Sequence, residues 1–220
     1  MQVSALEGHR LWAASYDTAT NPLLALESRL LPGIIGQVSA KRVVDVGCGT
    51  GRWAVWLEAR GADVVGVDFC SEMVERAPSQ VRGRLFIGDA ASLPIAPAVA
   101  DLTICSFAAG YFHDLERALA EMARVTRFGG RVILADLHPD AIAKGWTRSF
   151  RSGTVAYEIE HFAHSLQEMR GAARDAGLEA QLEHHAHFGE PERPMFETAG
   201  KRFADFANIP AVWMGRWEKA

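Results

Sequence analysis

The chain predicts an α/β fold built around a parallel sheet, and three observations carry that prediction. Apolar strand-like runs alternate with helix-like segments from about residue 41 to residue 136, the pattern of βαβ units. A glycine turn, Gly47-Cys48-Gly49-Thr50-Gly51, follows the first of those runs directly. Acids stand at the ends of the next two runs, Asp68 and Asp89, where open α/β sheets bind their ligands.

The elements follow in order. Residues 23–31 read as a helix capped near Asn21-Pro22. Residues 43–46 form the first strand and 53–60 its helix, ended by Gly61. Residues 64–68 form the second strand, and 71–77 a helix with Ser71 as N-cap. Residues 84–89 are a third strand. Pro94 and Pro97 break the chain before a fourth at 101–106. Apolar residues at 115, 118, 119, 122 and 125 give one face of a helix over 115–127. Phe128-Gly129-Gly130 ends that helix, and 131–136 is the fifth strand.

Residues 141–157 are poorly patterned, rich in Gly, Ser and aromatics, and read as a substrate-side insertion. Ser165 and Glu168 match a capping box for a helix over 165–176, closed by Gly177. Residues 178–187 and 212–218 read as a terminal antiparallel pair. The whole is one expected domain: a helical cap (1–40), a ligand-binding core (41–138), and an insertion with terminal strands (139–220).

Composition narrows the function classes. The 220 residues are 49% hydrophobic and 23% charged, with a formal net charge of -4, an ordinary globular balance. No run of Lys or Arg supports a nucleic-acid surface. The first residues lack the basic-then-apolar order of a signal peptide, and no apolar stretch is long enough for a membrane span. Three cysteines, Cys48, Cys70 and Cys105, cannot all pair with one another and read as reduced thiols, which implies a cytoplasmic protein.

The glycine spacing separates two ligand classes. A dinucleotide fingerprint places a third glycine where this chain has Arg52. Asp45, two residues before Gly47, suits a ligand with a positive charge better than a pyrophosphate. The turn resembles motif I of the class I S-adenosylmethionine-dependent methyltransferases. Later stretches agree: the helix from Leu115 with its glutamate and arginine-valine, then Phe128-Gly129-Gly130-Arg131. Upstream, Tyr16-Asp17 resembles the aromatic-acid pair of the ubiquinone-biosynthesis-type (methyltransferase 11-like) branch.

The resemblance covers about residues 12–138 and implies a Rossmann-like sheet of seven strands, mostly parallel, with an antiparallel last strand and helices on both faces. It also implies a cofactor, S-adenosylmethionine, leaving as S-adenosylhomocysteine. Gly47, Gly49 and Gly51, with Cys48 as a small filler and Asp45 beneath, would take the methionine tail. Asp68 would hold the ribose, Phe69 and Met73 would flank the adenine, and Asp89 and Ala90 would read its edge. Tyr16 would cover the cofactor, and Ser106 would end the fourth strand beside the transferred methyl.

If the acceptor must lose a proton, a histidine is the natural base. His113 and His138, past the fourth and fifth strands, are the candidates; each serves equally well as a helix-capping or packing residue. Tyr111, Trp146, Phe150, Tyr157 and Phe162 are candidates to line a pocket for a flat, small-molecule acceptor. The histidines at 161, 164, 184, 185 and 187 lack partners with ligand spacing, so no metal is expected. Two alternatives stay open: a non-catalytic S-adenosylmethionine-binding module and an NAD(P)-dependent oxidoreductase.

Overall fold

The computed structural model describes residues 1–220. The chain opens with β1 (Gln2–Val3) and α1 (Ala5–Trp12), neither of them expected from the apolar pattern. Ser4 caps α1, its Oγ accepting from Glu7 N at 3.3 Å. α2 (Pro22–Ile35) starts where predicted, with Asn21 Oδ1 accepting from Leu23 N at 2.9 Å. It runs beyond its expected end and through Pro32, because Leu31, Ile34 and Ile35 are buried in the core. Their burial outweighs the lost backbone hydrogen bond.

The core follows as β2 (Arg42–Val46), α3 (Arg52–Glu58), β3 (Asp63–Asp68), α4 (Ser71–Glu75), α5 (Ser79–Arg82), β4 (Leu85–Ile87), β5 (Ala100–Ser106), α6 (Leu115–Val125) and β6 (Thr126–Leu137). Two expectations need correction. Cys70, not Ser71, is the N-cap of α4; the Ser71 hydroxyl donates to Glu72 instead, at 3.0 Å. The sixth helix ends at Val125, and residues 128–130 belong to β6 as an irregularity rather than a turn. Thr126 causes this. Its hydroxyl is buried between Met122 O and Thr103 Oγ1, both at 2.7 Å, which fixes it as a strand residue at the sheet edge of the helix.

The last third carries α7 (Pro139–Ala143), the hairpin β7 (Arg148–Ser152) and β8 (Val155–Ile159), α8 (Leu166–Asp175), β9 (Leu178–Ala186), α9 (Arg193–Thr198), α10 (Ala204–Ala207) and β10 (Val212–Lys219). Seven strands form one sheet in the order β4-β3-β2-β5-β6-β10-β9. Its first five are parallel neighbours, and β10 runs antiparallel between β6 and β9. The expected architecture is therefore present. A second, three-stranded sheet, β1-β8-β7, was not expected; it pairs the first residues of the chain with the insertion, Val3 opposite Ile159.

Alternation along the strands sorts the core into two faces. Val43, Ile133 and Met214 join α2 and α3 on one face; Val44, Val132 and Trp213 join α6 and α8 on the other. Asp45 follows Val43 by two and so lies on the α2–α3 face. The carboxyl ends of β2, β3, β4 and β5 open on one side, and α1 with the small sheet lies over them. No helix is long and apolar enough to cross a membrane. All three cysteines are buried and free.

Candidate active site

The glycine turn is shaped by close contacts on three sides. Gly47, Gly49 and Gly51 all have positive φ, 71°, 54° and 77°, a region that favours glycine. A Cβ on Gly47 would lie 2.3 Å from the Ala108 Cβ, so the loop after β5 abuts the turn. Asp68 braces the turn from β3. One of its oxygens accepts from Gly49 N at 2.7 Å and the other from Cys70 N at 2.8 Å. Burial raises the Asp68 pKa, and those backbone donors oppose the rise.

A cavity of about 540 Å³ opens over this turn. Ten of the predicted site residues meet in its wall: Tyr16, Gly47, Gly49, Asp68, Phe69, Met73, Asp89, Ala90, Ser106 and His113. Asp89 is exposed at the far end, with its carboxylate accepting from Ala91 N at 2.9 Å. Four predicted residues lie elsewhere. Cys48 and Gly51 shape the turn from behind: Cys48 packs against Gly66, and Gly51 against Val81 and Leu85. Asp45 is buried beneath it.

His138 is the clearest departure. It is 1% exposed and lines no cavity wall in this region. Its Nδ1 accepts from Asp140 N at 3.0 Å, capping α7, so its Nε2 donates to His185 Nδ1 at 2.8 Å. With both nitrogens engaged, it has no lone pair to offer an acceptor. His113 is exposed and reaches the outer rim of this cavity only, edge-on to Phe162.

Asp45 supplies the electrostatic signature. Its Oδ2 is buried without a hydrogen-bond partner. Burial, with Asp68 and Glu27 adding to it, pushes its pKa up to about 7 against the pull of Arg52. An orphaned carboxylate under a glycine cradle fits a ligand that brings a positive charge.

Comparison with known proteins agrees with this geometry. A family model described as a methyltransferase domain matches residues 44–134. A demethylmenaquinone methyltransferase from Deinococcus radiodurans is 38% identical over 192 residues, covering 80% of this chain and 76% of the relative. The chain belongs to the class I S-adenosylmethionine-dependent methyltransferases. A biotin biosynthesis bifunctional protein from Cellvibrio japonicus is 30% identical over 134 residues, 60% of this chain, but this chain spans only 27% of that protein. Among solved structures, an S-adenosylmethionine-dependent methyltransferase from Mesorhizobium loti shares the fold, with a TM-score of 0.71 at 18% identity over 90% of this chain and 100% of that one.

The oxidoreductase alternative falls with this assignment. The methyltransferase's Arg52, at the would-be third glycine, makes a 2.7 Å ion pair with Glu27 of α2. Glu27 is fully buried and also accepts from Trp53 Nε1 at 2.8 Å and from the Ser106 hydroxyl. Sequence reasoning missed Glu27. Its signal was a lone acid on the inward, leucine-lined face of a helix.

A second cavity, of about 580 Å³, adjoins the first. The two share four wall residues: His9, Tyr16, Phe107 and Tyr111. Of the five aromatics expected in an acceptor pocket, Tyr111, Trp146 and Phe150 line this cavity. Tyr157 instead stacks behind Phe150 at 5.2 Å, and Phe162 is exposed outside it. Trp12, Phe188, Phe196 and Phe206 complete an aromatic lining, and the charged residues of the wall are Arg148, Arg151 and Lys201, with no carboxylate.

Phe107 adopts φ 54°, a strained conformation for a bulky residue. Arg148 holds it there, donating from Nη1 to Phe107 O at 3.2 Å. Arg148 is itself anchored by an ion pair to Asp136 and lies over the Tyr111 ring at 4.8 Å. Burial opposes its charge, but Asp136 and Tyr111 more than offset that and raise its pKa.

Proposed function

We propose that this methyltransferase carries a methyl group from S-adenosylmethionine in the first cavity to a flat small molecule in the second. The observation that carries this reading is the shared wall: His9, Tyr16, Phe107 and Tyr111 border both spaces, so donor and acceptor meet there. Alignment of that kind is the main contribution a protein makes to an in-line displacement, since the donor brings its own leaving group.

In the donor cavity, Gly47 and Gly49 take the methionine end, and the unpaired oxygen of Asp45 answers its positive charge through the turn. The remaining lone pairs of Asp68 accept from the ribose. Phe69 and Met73 flank the adenine, Asp89 and Ala90 face its edge, and Tyr16 and Ser106 close the methyl end. Cys48 and Gly51 act on the donor only through the shape of the turn.

The acceptor is a small planar molecule carrying an anionic or strongly electron-rich group. The aromatic walls favour a flat body, and the two wall cations without a carboxylate partner in the cavity, Arg151 and Lys201, favour negative charge. The net charge of -4 and the lack of any run of Lys or Arg argue against nucleic acid. The Deinococcus relative's name gives demethylmenaquinone as its acceptor, a class within this description. The test is incubation with S-adenosylmethionine and two panels, phenolic acids with naphthohydroquinones and aliphatic amines, read by mass spectrometry. Methylated phenols or naphthols are expected; methylated aliphatic amines alone would overturn the reading.

A further inference from the structure

We infer that His9 is the base that takes the proton from the acceptor, an assignment resting on the two-cavity reading above. His9 projects from α1 into the wall common to both cavities. Its Nδ1 lies 2.7 Å from Ala5 O. A carbonyl accepts only, so Nδ1 carries the proton and Nε2 the lone pair. Nε2 makes no hydrogen bond to the protein. Tyr111 and Phe69 hold the ring edge-on, at 4.7 and 5.6 Å between centroids. Gly8 lets α1 sit this close, since a Cβ there would strike Ile159 of β8 at 2.7 Å.

The groups facing His9 agree with a neutral, proton-accepting ring. Tyr111 comes from the 3-10 turn at Ala109–Tyr111, Tyr16 from the segment after α1, and Arg148 from β7 with Asp136 of β6 behind it; Asp68 of β3 faces the same first cavity. Burial lowers the His9 pKa, the Ala5 carbonyl raises it, and the Arg148 charge lowers it. Burial raises both Tyr16 and Tyr111, so neither phenol is a base. Of the residues bordering both cavities, only His9 offers a free lone pair on a basic nitrogen.

The step balances simply. Nε2 takes the proton from an acceptor O–H or N–H as that atom's electron pair forms the bond to the methyl carbon. The carbon–sulfur bond breaks with its pair going to sulfur, turning a sulfonium into a neutral thioether. One positive charge thus passes from sulfur to the imidazolium. Arg148 nearby disfavours keeping it, so the proton leaves to solvent.

The test compares wild type with His9→Gln, using a phenol that is un-ionised at the assay pH and 4-nitrophenol above its own pKa, which needs no base. Calorimetric binding of S-adenosylmethionine verifies that the variant is folded. The expected result is a loss of about a hundredfold or more on the un-ionised phenol, shrinking to a few-fold on the nitrophenolate and partly restored by added imidazole. Nitrogen-15 spectra, with the His9 signals found by difference, should show Nδ1 protonated and Nε2 bare at neutral pH. Equal losses on both phenols, no loss on either, or a protonated Nε2 would overturn the base assignment alone. A wild type that methylates neither phenol overturns the acceptor reading, and His9 with it.

Discussion

The first cavity, the one proposed for the donor, takes its floor from the carboxyl ends of β2, β3 and β5, where three positive-φ glycines and two backbone-bound carboxylate oxygens set the shape. The second, the one proposed for the acceptor, takes its walls from side chains of α1, α2, β7, α9 and α10, stretches that meet only in the folded chain. One is a backbone device, tolerant of surrounding change but intolerant of a single Cβ. The other is a side-chain device, in which each aromatic is replaceable and the collective shape selects the ligand. Methyltransferases that share a donor can therefore differ in acceptor by altering only the second kind of wall.

The largest expected effect falls on the donor side. Asp68→Ala removes the acceptor of Gly49 N and Cys70 N and one wall of the cavity. Donor affinity should fall by about a hundredfold, on the order of 3 kcal/mol for two charge-assisted bonds, read by calorimetry. An affinity unchanged within error would break the assignment of the first cavity to the donor.

Glu27→Ala tests the seam between the two regions. It removes the buried carboxylate that Arg52, Trp53 Nε1 and the Ser106 hydroxyl share, and should cost about 2 kcal/mol of stability, seen as a lower thermal midpoint. Glu27→Gln keeps the shape and should cost less. A Glu27→Ala protein as stable as wild type would show that α2 is not held to the sheet through this acid.

Asp45 gives a pH dependence with a fixed sign. Its folded pKa lies near 7, above the ordinary carboxylate range, so the ligand-free protein prefers it neutral. Stability therefore falls as pH rises from that ordinary range to about 7, and is level beyond it. A positively charged donor favours the ionised form, so donor affinity rises over the same window by at most about tenfold per pH unit, with a proton released on binding below 7. Calorimetry in buffers of different ionisation heat measures that proton. Asp45→Asn should flatten the pH profile; a profile that kept its slope would reassign the titration to another group.

The smallest effect sharpens the acceptor side. Arg151→Ala and Lys201→Ala sit at the exposed rim and should raise the acceptor KM a few-fold, about 0.5–1 kcal/mol, more at low salt than at high. Donor affinity should not move. A change in donor affinity of the same size would erase the division between the two cavities.

The division also governed what the sequence made legible. Asp68, Met73, Asp89 and the glycines announced themselves because a strand end and a tight turn impose local rules that recur in order. His9 did not, although Ser4 and Glu7 carried a helix-start signature three residues apart; eight residues of helix give a weak apolar pattern, and the histidine's importance arises from what packs on it. The hairpin at 148–159 was hidden for a related reason. Its strands form a small exposed sheet with little alternation, and the first residues of the chain complete it. His138 misled because position after a strand is legible, whereas the direction of a side chain at a cap is decided by its neighbours.

The pairing of β1 with β8 bears on how the molecule assembles. Met1 donates to Ala156 O at 2.9 Å, and Val3 lies opposite Ile159, so this strand closes against a segment far along the chain. Loop closure over so long a stretch is slow and is rewarded only once both partners exist. The sheet over residues 42–137 has its parallel partners nearby and can form beforehand. Helix α1, and His9 with it, must then settle last, so a chain lacking residues 155–159 would hold a formed glycine turn left unroofed. Completion of the hairpin is thus the folding event that brings His9 into the wall shared by the two cavities.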